Sequence, residues 1–208
     1  MKRYLSHIQY HWIKYILIIV LPIILWTSIF DILAEPADSE RFRIYFIGEG
    51  LNCEDLSAHI ENQIPFLTEQ ASRIREVSVS SSIVPDETAS SVAMARSYDY
   101  DLIIIPESFM SKNIGQANFN ALDTQLVDEL LSSVTYYTEP FYEEERSYGM
   151  VLFDGQQNNV FSEYYNGTET CYVFFSSHSV NLGQLNTTGN TEDDVALTVL
   201  DYLLSEDL

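Results

Sequence analysis

The sequence predicts an α/β protein in which an N-terminal transmembrane helix precedes a mainly parallel βαβαβ sheet, a C-terminal antiparallel hairpin and a terminal helix. Three observations predict this fold class. An uncharged apolar run extends from Tyr15 to Phe30. Strand-type and helix-type segments then alternate from Arg41 to Pro106, which is typical of βαβ units. Finally, Asn166-Gly167, the dipeptide that most favours a two-residue hairpin turn, separates two apolar segments.

The apolar run is long enough to predict a membrane anchor. Its sixteen residues, Tyr15 to Phe30, contain no charge, and as a helix they would extend roughly 24 Å. Ile13 and Ile32-Leu33 bring the segment close to the 20 or so residues that cross a bilayer core. We therefore divide the chain into a cytoplasmic basic N-terminus (1–11), a transmembrane helix (12–33), a linker (34–40) and an extracytoplasmic α/β domain (41–208).

The charges that flank the run predict its orientation. Lys2, Arg3 and Lys14 lie before it, and no acidic residue precedes Asp31. By the positive-inside rule the N-terminus is cytoplasmic, so the chain is a single-pass protein of the cell membrane with its large domain outside. A cleaved signal peptide that ends near Ala34 is the open alternative, although Asp31 and the length of the run favour an anchor.

The predicted domain is strongly acidic. The 174 residues after Ala34 contain thirty acidic and seven basic residues, a net charge of −23. Such a surface repels phosphate backbones, so we expect no nucleic-acid partner. It also repels an anionic membrane surface, so the domain should stand away from the bilayer to which it is tethered.

The first half of the domain has the pattern of two βαβ units. Its strands are predicted by apolar, β-branched and aromatic runs, and its helices by apolar spacing of three and four with capping residues. In order, the elements are strand Arg41–Gly48, helix Asn52–Pro65, strand Glu76–Ser82, helix Asp86–Ser97 and strand Asp101–Pro106.

The second half is predicted to be mixed. Leucines spaced by four predict an amphipathic helix over Ala121–Val134. The pattern then predicts a strand over Tyr148–Phe153, two hairpin strands over Val160–Tyr165 and Thr168–Ser176, and a last helix with Thr191 as N-cap. The buried stripe of that helix would be Val195, Val199, Leu200 and Leu203.

Open α/β sheets bind ligands outside the carboxyl ends of their parallel strands. At those ends the sequence has short polar side chains and exposed backbone amides that suit a small polar solute. We call this predicted ligand site the strand-end rim, and it comprises Gly48, Glu49, Gly50, Ser81, Ser82, Glu107 and Ser108.

Other chemistry has weaker signals. The sequence contains no metal-ligand spacing, and Glu49 opposes a pyrophosphate at the Gly48-x-Gly50 turn, so we expect no cofactor. Cys53 and Cys171 lie far apart in sequence, which leaves a disulfide and two free thiols both open. The run Ser176-Ser177-His178-Ser179 places serines beside a histidine, a nucleophile-and-base pairing without a recognised motif around it.

The segment from Arg41 to about Leu131 resembles the extracytoplasmic region of exporter-type ABC transporter permeases. The closest match is the apolar strand with proline and acidic residues, Asp101-Leu102-Ile103-Ile104-Ile105-Pro106-Glu107-Ser108-Phe109. The same βαβαβ order resembles one lobe of a type 2 periplasmic-binding domain. Exporter permeases have several more membrane helices than this chain, and two-lobed binding proteins are generally longer.

These observations lead to three functional hypotheses. The first is a non-catalytic accessory or sensor subunit of a membrane transport system, whose partner would be a permease or an ATPase. The second is a tethered solute-binding domain that holds a small polar ligand at the strand-end rim. The third is a cell-surface hydrolase that depends on His178.

Overall fold

The computed structural model describes residues 2–69, 71–131, 134–182 and 195–206. The chain divides into two compact units, one over Met1–Ala37 and the other over Asp38–Leu208.

The first unit is dominated by one long helix, α1 (Lys2–Ala34), which contains Pro22. Its described apolar side chains between Ile16 and Phe30 are 40–68 % exposed. Over the described residues, no helix combines the length and apolar character that a membrane span requires.

The second unit is an α/β fold built on a six-stranded mixed sheet. The strand order is β2-β1-β3-β6-β5-β4. The strands are β1 (Arg41–Ile47), β2 (Glu76–Ser82), β3 (Leu102–Pro106), β4 (Tyr136–Phe141), β5 (Glu144–Phe153) and β6 (Cys171–Phe175). The helices are α2 (Cys53–Leu67), α3 (Asp86–Arg96), α4 (Ile114–Asn118), α5 (Thr124–Leu130), α6 (Val160–Tyr164) and α7 (Val195–Leu204).

The predicted βαβαβ half is confirmed. Strand β1 pairs in parallel with both β2 and β3, in the order β2-β1-β3. Antiparallel pairing then joins β3 to β6, β6 to β5 and β5 to β4. Strand β5 therefore runs in the same direction as the three parallel strands, whereas β6 and β4 run against them.

The side chains of the central strands alternate between two apolar layers. Phe42, Ile44 and Phe46 of β1 belong to the cluster that contains α2 and α7. Tyr45 and Ile47 belong to the opposite cluster, which contains α3 and α4. All five residues of β3 are buried, as expected for a strand covered on both faces. The arrangement is therefore three-layered, with the sheet in the middle.

The two helices of the βαβαβ half begin close to the predicted positions. The Asn52 side chain accepts a hydrogen bond from the Asp55 N–H and caps α2. Pro65 lies inside α2, and the helix continues to Leu67. In α3, Ala89 and Ala93 are buried, because small side chains allow the helix to lie close to the sheet.

The predicted hairpin around Asn166-Gly167 is wrong. Val160–Tyr164 is helix α6, because Asn159 and Ser162 form a reciprocal capping box at its start. Only Cys171–Phe175 of the second predicted strand is extended, and it pairs with β3 and β5. The hairpin of this fold is β4–β5, and it turns at Tyr142, whose φ is 56°.

Two further helices differ in extent from the prediction. Helix α5 is shorter than Ala121–Val134, because the Asp123 side chain caps its start by accepting from the N–H groups of Gln125 and Leu126. The stripe predicted for the last helix is buried in α7. The predicted N-cap Thr191 lies outside the described residues.

Gly149 fits β5 closely against β6. A Cβ added at Gly149 would lie 2.6 Å from the Val173 carbonyl oxygen and 2.8 Å from the Phe174 ring. We expect Gly149→Ala to lower the free energy of unfolding by about 1–3 kcal/mol, because the obstacle is backbone of a buried strand.

Urea unfolding of the purified chain measures this effect. Ser147→Ala, two positions earlier on β5, is the matched control and should stay within about 0.5 kcal/mol of the wild type. Equal stability of the two variants would contradict the close approach of β5 and β6.

Candidate functional site

The strand-end rim comes together only in part. The Gly48 N–H donates to the Ser82 carbonyl oxygen at 2.9 Å, so the ends of β1 and β2 meet as predicted. A Cβ at Gly48 would lie 3.2 Å from the Phe109 ring and 3.4 Å from Pro106, so the end of β3 is also adjacent. Glu49, Ser81 and Glu107 are exposed there.

The loop between α6 and β6 occupies much of this rim. The Asn166 N–H donates to the Gly50 carbonyl oxygen at 2.8 Å. The Ser108 N–H donates to the Glu169 carboxylate at 3.2 Å, and the Ser82 hydroxyl is bonded to the Tyr45 phenol. Several groups that were predicted to bind a solute are thus engaged within the protein. The rim stays a prediction.

A cavity of about 280 Å³ lies at the other end of the parallel strands, away from the strand-end rim. We call it the N-edge cavity, because it opens where β1 and β3 begin. The side chains that determine its chemistry are Asp38, Arg41, Arg43, Tyr98, Asp101 and His178.

The buried carboxylate of Asp101 lies beside this cavity and accepts hydrogen bonds from several parts of the chain. Asp101 is 6 % exposed and directly precedes β3. Its Oδ2 accepts from the Arg43 N–H at 2.7 Å, and its Oδ1 accepts from the Asn181 side-chain amide at 3.0 Å. The Ser179 hydroxyl is also bonded to Oδ1. The carboxylate therefore connects β1 and β3 to the turn that follows β6.

Asn181 extends this network to the last helix and to the start of the sheet. It is fully buried, and its amide nitrogen also donates to the Arg41 carbonyl oxygen at 2.8 Å. Its side-chain oxygen accepts from Arg73 at 3.1 Å. Its backbone carbonyl accepts from the Ala196 N–H at 3.0 Å, which holds the start of α7. We call Asp101, Ser179 and Asn181 the edge network.

Burial raises the pKa of Asp101 above its ordinary value of 3.8, because the interior solvates the charged form poorly. The hydrogen bonds from Ser179, the Arg43 N–H and Asn181 act in the opposite direction, and so does the charge of Arg43. The direction of the net shift shows that desolvation outweighs these contacts.

The mouth of the cavity combines an aromatic platform with mixed charges. The rings of Tyr98 and His178 are stacked with centroids 4.3 Å apart. Arg43 pairs with Asp38 at 3.2 Å and donates to the Asp99 carbonyl oxygen at 3.1 Å. Carboxylates and guanidinium groups thus lie beside each other, a surface suited to a ligand that carries both charges.

The serines around His178 do not form a nucleophile-and-base pair in the described contacts. The Ser176 hydroxyl is bonded to the Ser97 carbonyl oxygen, and the Ser179 hydroxyl is bonded to Asp101. The His178 ring stacks on Tyr98, and its backbone N–H donates to the Ser176 oxygen at 3.2 Å. The hydroxyl groups of Ser176 and Ser179 therefore take part in the edge network and its surroundings.

The two cysteines and His59 lie outside the N-edge cavity. Cys53 and Cys171 are free thiols. Burial raises the pKa of Cys171 to about 12, so that thiol is protonated at neutral pH. His59 is bonded to Tyr202 and stacks on it. Within the described ranges, no group of three or more His, Cys, Asp or Glu residues is placed to hold a metal ion.

No protein-family profile, curated protein or solved structure matches this chain. The resemblance to exporter permeases and to a periplasmic-binding lobe therefore stays a prediction.

Sequence reasoning missed the edge network. The sequence pattern places Asp101 at the start of β3, where an aspartate is ordinarily exposed, so the pattern does not indicate its burial. No local pattern indicates that Ser179 and Asn181, about 80 positions later, would supply the donors.

We expect Asp101→Asn to destabilise the domain, because an amide nitrogen would face either the Arg43 N–H or the donors of Ser179 and Asn181. A buried donor left without an acceptor costs about 1–3 kcal/mol. Asp99→Asn, an exposed neighbour, is the matched control and should change stability by less than about 0.5 kcal/mol.

The pH dependence of the same pair tests the raised pKa. Because the folded pKa of Asp101 exceeds its unfolded value, this group stabilises the fold most below the unfolded pKa. That contribution is lost as pH rises through the folded pKa. The wild type should therefore exceed Asp101→Asn by most at acid pH, and urea titrations from acid to neutral pH measure the difference. A difference that grows as pH rises would contradict the raised pKa.

Proposed function

We propose that this protein is a non-catalytic, membrane-anchored extracytoplasmic domain that serves as an accessory or sensor subunit of a membrane transport system. Although no helix of the described residues meets the length and apolar character of a membrane span, the sequence of helix α1 carries the proposal. It contains the uncharged run Tyr15 to Phe30, and its described apolar side chains are exposed from Ile16 onward.

Exposed apolar surface on this scale favours a lipid environment. Moving a Leu or Ile side chain out of water is worth about 1.5–3 kcal/mol. Twelve apolar side chains of α1 between Ile16 and Phe30 are exposed, Leu17, Ile18 and Ile24 by more than half. The exposed Trp12 and Trp26 supply the amphipathic rings that membrane interfaces favour. The basic residues Lys2, Arg3 and Lys14 support a cytoplasmic N-terminus.

The hydrogen bonding and the surface charge of the folded domain are consistent with a docking role. The buried polar groups of the edge network are hydrogen-bonded to one another and to the backbone. The strongly negative surface disfavours nucleic acids and anionic lipids, so the domain would present itself to proteins and solutes.

Membrane association tests the anchor directly. We expect the full-length protein to sediment with membranes and to resist carbonate extraction. The double variant Val20→Arg, Ile23→Arg should be released, because each central arginine costs about 2.5–3.5 kcal/mol in a membrane helix. Lys14→Arg, which keeps the flanking charge, is the control. Extraction of the wild type by carbonate would contradict the anchor.

Co-purification tests the accessory role. After extraction in mild detergent, the wild-type protein should be recovered with a transporter permease or ATPase in stoichiometric amount. Recovery of the membrane-anchored protein alone, under conditions that keep other transporter complexes intact, would overturn this role.

A second candidate function is a tethered solute-binding domain, and the N-edge cavity favours it. Its volume of about 280 Å³ suits a small molecule. The stacked Tyr98 and His178 rings and the neighbouring Arg43 and Asp38 charges suit a polar solute with both signs of charge.

Thermal unfolding with a panel of free amino acids and small polyols tests solute binding. A solute at 100 times its dissociation constant would stabilise the domain by about 2.7 kcal/mol. Binding in the N-edge cavity should be weakened by His178→Ala, whereas binding at the strand-end rim should be weakened by Ser108→Ala instead. No stabilisation by any member of the panel would contradict solute binding of this class.

A further inference from the structure

Asn166-Gly167-Thr168 matches the acceptor pattern Asn-x-Ser/Thr for N-linked sugars, in which x is any residue except proline. The pattern supplies a side-chain amide that receives the sugar and a hydroxyl two positions later. Asn186-Thr187-Thr188 is a second match, and it lies outside the described part of the chain. Asn166 is therefore the acceptor whose surroundings the structure shows.

Both side chains of this acceptor are exposed. Asn166 and Thr168 lie in the loop between α6 and β6, outside any helix or strand. In the described ranges, Asn166 makes its hydrogen bond through the backbone N–H, which donates to the Gly50 carbonyl oxygen at 2.8 Å, and not through its side chain. A sugar on the side-chain nitrogen would therefore displace no contact of the fold.

The backbone of the same loop is held in place. Besides the bond from Asn166 to Gly50, the Glu107 N–H donates to the Thr170 carbonyl oxygen at 2.8 Å. A Cβ at Gly167 would collide with the buried ring of Tyr165, so the middle position of the acceptor requires glycine. The loop is thus fixed on both sides of the acceptor, while the amide and the hydroxyl stay in solvent.

We propose that Asn166 is N-glycosylated and that its glycan covers the strand-end rim. This inference rests on the proposed extracytoplasmic location, because N-linked sugars are found on exported chains. The donor is an oligosaccharide carried on a lipid diphosphate. The amide nitrogen of Asn166 bonds to the anomeric carbon of the first sugar as the bond from that carbon to the diphosphate oxygen breaks. The amide loses one proton, and the lipid diphosphate leaves with the electron pair of the broken bond.

The position of the loop determines what the glycan covers. Asn166 is bonded to Gly50, and the Glu169 carboxylate accepts from the Ser108 N–H at 3.2 Å. Gly50 and Ser108 both belong to the strand-end rim. A bulky, hydrated glycan on Asn166 therefore stands beside the carboxyl ends of the parallel strands and screens them from large partners. The N-edge cavity lies at the other end of these strands.

Peptide mass spectrometry of the full-length protein, purified from the membranes of its own host, tests the site. Cleavage after Glu163 and Glu169 releases the peptide 164–169, which contains Asn166 without Asn186. The wild-type peptide should carry the added mass of sugar residues. Asn166→Gln and Thr168→Ala should lose this mass, whereas Thr168→Ser, which keeps the hydroxyl, should retain it. Sugar that persists in Thr168→Ala would overturn the assignment.

Lys112 distinguishes failure of the site from failure of the location. It is exposed and is the only lysine after Lys14, so a membrane-impermeant amine reagent on intact cells labels it when the domain is outside. A labelled Lys112 with an unmodified 164–169 peptide would overturn the glycosylation and leave the proposed location standing. An unlabelled Lys112 with an unmodified peptide would overturn both.

Accessibility of the rim tests the covering role. Enzymatic removal of the glycan should raise the rate at which a bulky maleimide labels Glu49→Cys, an exposed position of the strand-end rim. Asp99→Cys, an exposed position beside the N-edge cavity, is the matched control, and its rate should not change. An unchanged rate at position 49 would overturn the covering of the rim.

Discussion

The hydrogen bonds to the buried carboxylate of Asp101 hold together the amino ends of the parallel strands. A charge in the interior is costly unless donors surround it, and here the donors come from two separate parts of the chain. The Arg43 N–H belongs to β1, whereas Ser179 and Asn181 belong to the turn after β6. Asn181 then reaches α7 through the Ala196 N–H. Through these hydrogen bonds, one carboxylate links the parallel half of the sheet to the turn after β6 and, through Asn181, to the last helix.

The carboxyl ends and the amino ends of the parallel strands are covered in different ways. At the carboxyl ends, the loop after α6 lies against the chain, and its Asn166 and Glu169 bond to Gly50 and Ser108. At the amino ends, the edge network holds the backbone in place but leaves a cavity between charged and aromatic side chains. The ligand position expected for an open α/β sheet is therefore partly filled, and the opposite edge offers space.

The sheet also separates two kinds of surface. Its interior strand β3 is buried on both faces, and over the described residues no strand pairs with the outer side of β2 or of β4. Strand β4 is protected by Pro140 and by the buried Glu139, whose carboxylate accepts from the N–H groups of Gly115 and Gln116. Strand β2 has one charged residue, Glu76, and otherwise valines and serines.

The sequence by itself determined the α/β class, the βαβαβ half and the helix bounds near Asn52 and Asp86, because periodicity and capping are local properties. It wrongly indicated a hairpin turn at Asn166-Gly167, because the capping box of Asn159 and Ser162 makes the preceding segment a helix. Only the tertiary structure decided that Ser179 and Asn181 would meet Asp101. A buried charge selects its donors by proximity in space, and positions about 80 residues apart have no local pattern that records this contact.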